Sequence, residues 1–145
     1  MVADAAVLQR LPHRPPFLWI DRIVEMDEQR IHAEKDLPED LDIFRGHYPD
    51  HPLMPGVLLC EAVFQAGALL IVELAGIEPS LQGAVPVLTR IQSARFKREV
   101  GPGATINIHA TLKERLSSAW FLKGSVKLQD KVALQVEFAC SLKEG

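Results

Sequence analysis

Residues 44–67 read FRGHYPDHPLMPGVLLCEAVFQAG (Phe44–Gly67), a proline-bearing loop that runs straight into an apolar segment. Pro49, Pro52 and Pro55 stiffen the loop, and Pro55 suits the first turn of a helix, where its missing N–H is not needed. The helix is expected from about Pro55 to Ala75, with Gly76 as its stop. Leu58, Leu59, Val63, Phe64, Leu69 and Ile71 are spread over its faces rather than along one stripe. A one-sided sheet covers one face of such a helix, so a second copy of the chain is predicted to cover the rest. One carboxylate, Glu61, interrupts the apolar run, and two histidines, His47 and His51, precede it.

Outward from the helix the pattern is that of strands. PFLWIDRIVEM (Pro16–Met26) is rich in β-branched and aromatic residues, and the weaker RIHAEKDL follows the turn at DEQ. Beyond the helix the apolar period changes from helical to two. In ATINIHATL, Ile106, Ile108 and Ala110 share a face, and Trp120, Leu122, Val126 and Leu128 do so in AWFLKGSVKL. VALQVEFACSL places Val132, Leu134, Val136, Phe138 and Cys140 together. GPG at 101–103, RLSS at 115–118 and QDK at 129–131 supply turns. The expected architecture is α+β, an antiparallel sheet of five to six strands curled around one long helix, in a single domain over 1–145.

At 145 residues, with 48% hydrophobic and 24% charged side chains, the chain has the composition of a soluble globular domain. A net charge of −3 gives no reason to expect nucleic acid as a partner. Cys60 and Cys140 form no spacing motif and read as reduced thiols of a cytoplasmic protein. The N-terminal residues show no basic segment followed by an apolar run, so a secretory signal is not expected. Leu58–Ala75 approaches the length of a membrane span, yet it holds Glu61, Gln65 and Glu73, which are costly in hydrocarbon.

Zinc is not expected at His47 and His51, because Pro49 and Pro52 forbid the helix that would align them and no further ligands complete a set. Cys60 sits among apolar neighbours, and no G-x-S-x-G elbow or phosphate-cradling glycine loop is present. General acid–base chemistry fits better. A loop histidine such as His47 can accept a proton near neutral pH. Glu61 shares a helix face with Val57, Phe64 and Gln65, and burial there favours a neutral, proton-donating carboxyl. Gly56 lets a substrate oxygen approach the bare N–H groups of the helix start. The plainer alternative stays open: the histidine as a structural plug, the glutamate as the partner of an arginine.

At these residues the chain resembles the 3-hydroxyacyl-acyl-carrier-protein dehydratases of the FabZ/FabA type. LPHRPPFLWIDRI is similar to the family's N-terminal signature, GHYPDHPLMPGVLLCEAVFQAG to its active-site segment, and ARFKREVGPG with the closing GSVKLQDKVALQVEFACSL to its later strands. The resemblance implies a hotdog fold, with His47 as catalytic base and Glu61 as acid. Glutamate at that place is similar to the FabZ branch, the FabA branch typically having aspartate. Gly56 matches the glycine whose N–H polarises the thioester carbonyl, and an acyl tunnel is implied along the helix past Val57, Phe64 and Gln65. Gln65 is a candidate to orient the Glu61 carboxyl.

The resemblance also implies a homodimer that sets His47 of one subunit opposite Glu61 of the other, with trimers of dimers frequent in the family. No metal or redox cofactor is implied. The acyl carrier protein is acidic in this family, and Arg90, Arg95 and Lys97 are the candidate landing patch. His13 and Arg14 are expected to be structural. Asp50, His51, Arg90 and Gln92 depart from the commoner pattern, which bears on chain length and pathway. The competing functions are a hotdog thioesterase and a non-catalytic acyl-binding protein.

Overall fold

Gly56–Ala75 forms the expected long helix, and its ends follow from local chemistry. Pro55 stands at the N-cap with no side-chain cap, and Gly76 at φ +64 closes the other end through its N–H to the carbonyls of Val72 and Glu73. The left-handed turn is one glycine adopts without strain. In the computed structural model, which describes residues 3–78 and 84–144, this helix is α3. Two short helices precede it, α1 (Ala5–Arg10) and α2 (Ile43–Gly46).

Among the described residues six strands form one antiparallel sheet: β1 (Arg22–Met26), β2 (Arg30–Asp36), β3 (Ala84–Phe96), β4 (Thr105–Leu116), β5 (Ala119–Leu128) and β6 (Lys131–Glu144). Their order is β1-β2-β4-β5-β6-β3, so β1 and β3 are the edges. Most of the alternation read from the sequence is the burial observed: Ile106, Ile108 and Ala110 of β4, Trp120, Leu122 and Val126 of β5, and Leu134, Val136, Phe138 and Cys140 of β6 are buried. Leu128 and Val132, read onto the same faces, are only half-buried. The buried side chains pack on α3 in one core cluster. Each Ile, Leu, Val or Phe side chain among them contributes about 1.5–3 kcal/mol through the apolar surface it removes from water.

Two expectations are corrected. The strand predicted over Pro16–Met26 begins only at Arg22. Leu18, Trp19 and Ile20 are buried, but the chain there lies on α3. The N–H of Trp19 donates to Gln65 Oε1 at 2.8 Å, and the carbonyl of Phe17 accepts from Gln65 Nε2 at 2.9 Å. Backbone groups spent on a helix side chain are not available to a strand ladder.

The second correction follows from the first. Leu59–Cys60 and Ala62–Val72 of α3 are buried within the single chain. The sheet covers one side, and Val7 and Leu11 with residues 18–20 cover the other. A second copy is therefore not needed to bury the helix. By length and composition α3 could cross a membrane, but 72% of its apolar window lies inside the protein.

Candidate active site

Glu61 lies in the second turn of α3, where the helix faces the N-terminal segment on one side and the start of β3 on the other. It lines a cavity of about 230 Å³ together with His13, Phe64, Gln65, Ala68 and Cys140, closed by Pro86, Val87 and Leu88 of β3. The Glu61 side chain is 22% exposed, enough to be reached from the cavity and little enough to be held. Gln65, one turn along, is buried and donates from Nε2 to Glu61 Oε2 at 3.0 Å. Its amide cannot be turned over, because Oε1 already accepts from Trp19 N–H.

Two features of this cavity were not expected. His13 places Nε2 3.7 Å from Glu61 Oε2, so a residue read as structural stands beside the candidate acid. Burial pushes the His13 imidazole below its ordinary value, against the opposing pull of the Glu61 charge. Cys140 is the other: burial first, then Glu61, pushes its thiol up to about 12, so it remains a neutral wall. The sequence carried a hint of His13 in its signature segment but nothing of the fold-back that brings it to Glu61.

His47 follows α2 in the proline loop. Its Nδ1 lies 2.8 Å from the Leu53 carbonyl oxygen. A carbonyl only accepts, so Nδ1 carries the proton and Nε2 is left as the basic nitrogen. The loop is tied at both ends, by His47 N–H to Ile43 O and by Met54 N–H to Val100 O. Tyr48, at φ +58, turns the chain sharply beside His47. No hydrogen bond or ion pair joins His47 to Glu61 within the chain, and His47 is not part of the Glu61 cavity.

The other predicted residues divide. Phe64 and Gln65 line the cavity with Glu61, whereas Val57 is 72% exposed on the first helical turn and lies outside it. Gly56 packs tightly: a Cβ there would stand 2.6 Å from Cε1 of Phe96, so no side chain fits unless that ring moves. His51 is on the surface, paired with Glu99 at 2.9 Å. Arg90, Arg95 and Lys97 are exposed along and just after β3. Arg95 borders a roomier groove of about 380 Å³ on the outer sheet face with His109, Lys123 and Glu137. That groove contains neither Glu61 nor His47. His109 stacks on His32 at 4.3 Å, and burial first, then His32, pushes it down to about 4. The smaller cavity, where a held carboxyl meets apolar walls, is the candidate active site.

A six-stranded antiparallel sheet wrapped on one helix, with a carboxylate in that helix beside an apolar cavity, defines a hotdog-fold protein. The solved dehydratase heterocomplex ApeI:P from Xenorhabdus doucetiae shares this fold, with a TM-score of 0.78 over 94% of this chain and 90% of that one, at 14% identity. A family model of the FabA-like domain matches residues 11–137. The 3-hydroxyacyl-acyl-carrier-protein dehydratase FabZ of Magnetococcus marinus is 44% identical over 134 residues, covering 90% of this chain and 85% of the relative. Its counterpart from Aromatoleum aromaticum is 38% identical over 138 residues, 94% of each chain. The chain belongs to the FabA-like family, among the FabZ-type 3-hydroxyacyl-acyl-carrier-protein dehydratases.

Proposed function

We propose that this protein removes water from a 3-hydroxyacyl thioester on an acyl carrier protein to give the trans-2-enoyl thioester, in fatty acid or related lipid biosynthesis. His47 Nε2 takes a proton from C2, and the electrons move onto the thioester carbonyl oxygen. The bare N–H groups at Gly56 and the positive end of α3 stabilise that charge. As it returns, the C2=C3 bond forms, the C3–O bond breaks, and the hydroxyl leaves as water with a proton from Glu61. Solvent then carries the His47 proton away and restores the one on Glu61. The observation that carries this reading is the Leu53 carbonyl on His47 Nδ1, which leaves Nε2 poised as a base.

The site is assembled from two chains. Glu61 and His47 do not meet within one, while the cavity of Glu61 is bordered by Pro86, Val87 and Leu88 of an edge strand. A second copy paired along β3 would lie beside that cavity and bring its own His47 to Glu61. Val87, Leu88, Ile91 and Phe96, all at least 38% exposed, give that edge the apolar character of an interface. Arg90, Arg95 and Lys97 are the carrier-protein contact, their charge suited to an acidic partner. The buried free thiols Cys60 and Cys140 support a cytoplasmic location.

The test is hydration of an enoyl thioester by the purified protein. Turnover lost in His47→Ala and Glu61→Gln, with the dimer intact, is the expected result. Normal turnover in either variant would remove that residue from the mechanism. Thiol release from an acyl thioester in place of hydration would identify a thioesterase instead.

A further inference from the structure

We propose that His13 is a positioning residue for Glu61: with Gln65 it loads one carboxyl oxygen, Oε2, and so leaves Oε1 to carry the proton that substrate receives. The inference rests on the reading of Glu61 as the acid.

Two donors converge on the same oxygen. Gln65 Nε2 reaches Glu61 Oε2 at 3.0 Å, and His13 Nε2 approaches it at 3.7 Å. The first is a hydrogen bond; the second is longer than one and acts as an electrostatic contact. Which His13 nitrogen bears the hydrogen follows from its surroundings. Nδ1 is buried with no hydrogen-bond partner among the described residues, so a proton there would have no acceptor among them, whereas Nε2 faces a carboxyl. The ring thus turns its N–H towards Oε2. A proton on Oε2 would meet the hydrogens of both neighbours, while one on Oε1 meets neither. A carboxylic acid held this way has one donor oxygen rather than two.

The groups around His13 leave it neutral. Burial lowers its affinity for a proton first, Glu61 on α3 opposes this, and Arg14 on its own segment adds to it. The Arg14 guanidinium is held on the carbonyls of Leu8 and Leu11, and the Cys140 thiol on β6 is uncharged. His13 therefore acts as an oriented dipole rather than as a second proton donor.

The test compares kcat and KM for enoyl-thioester hydration in wild type, His13→Leu and His13→Gln. The Gln amide puts an N–H near the place of Nε2, and Leu does not. His13→Leu is expected to lower kcat about tenfold with KM within about twofold, and His13→Gln to recover most of that loss. In a Glu61→Gln background, His13→Leu should add nothing, because its effect passes through the carboxyl. If His13→Leu does not fold, His13→Asn, whose amide reaches only the Nδ1 position, takes its place. Equal losses in Gln and Leu variants, a loss confined to KM, no loss at all, or full additivity with Glu61→Gln would each overturn the assignment. Absence of hydration by the wild type would instead overturn the function on which it rests.

Discussion

The two edges of the sheet are built to opposite ends. β1 is five residues long, its pairing slips between Ile23 and Glu25, and Arg22 reaches across to Glu34 and to both oxygens of Asp36 on β2. Shortness and paired charge are what make this edge unreceptive to another strand. β3 also slips in its pairing, between Leu88 and Arg90 and between Ile91 and Ser93, but it is 13 residues long and displays Val87, Leu88, Ile91 and Phe96. The closed edge lies away from the cavity that holds Glu61, and the open one helps to line it. On the proposed reading the contrast has a purpose: the chain keeps one end of its sheet to itself and offers the other, beside the cavity of Glu61, to a second copy.

The largest effect separates chemistry from assembly. His47→Ala and Glu61→Gln should each cut enoyl hydration by about 10²–10⁴-fold while the dimer remains on a sizing column. Next comes the open edge itself. Ile91→Asp puts a charge on the exposed apolar face of β3 and should convert dimer to monomer, with hydration falling in step. A monomer that keeps full activity would break the link between edge and site.

The closed edge gives the smallest effect. Arg22→Leu should cost about 1 kcal/mol of stability in a denaturation curve and leave both dimer and turnover unchanged. It should also alter the acid limb. Arg22 first, then Thr105, holds Asp36 down to about 2, below its ordinary value of 3.8. A carboxyl depressed on folding stabilises the fold above about pH 4 and loses that contribution as pH falls towards 2. The variant's stability should be flatter across that window. An unchanged acid limb would mean the pair adds nothing.

Much of this was legible in the sequence, for identifiable reasons. The ends of α3 follow from Pro55 and Gly76, and β4 to β6 from strict alternation, because each of those signals is local. β3 was harder to read. Both its faces are largely exposed, so no buried stripe marks it. The N-terminal segment was misread as strand because its backbone bonds go to Gln65, 46 and 48 residues away, which no local pattern reveals. The same fold-back covers α3 without a second chain and brings His13 to Glu61, neither of which a local pattern shows. Glu61 and Gln65 were visible as polar residues in an apolar helix. The pairing of His47 with Glu61 has no trace in one chain's packing, because on this account it belongs to two.

That claim has a direct measurement in subunit mixing. His47→Ala and Glu61→Gln homodimers, each inactive alone, are unfolded together, refolded and assayed for enoyl-thioester hydration. A mixed dimer then holds one site with both residues intact and one with neither. Random pairing makes about half the dimers mixed, so about a quarter of wild-type activity should return. If the mixture exchanges subunits and stays as inactive as its parents, His47 and Glu61 work within one chain, and the account of the open edge is wrong.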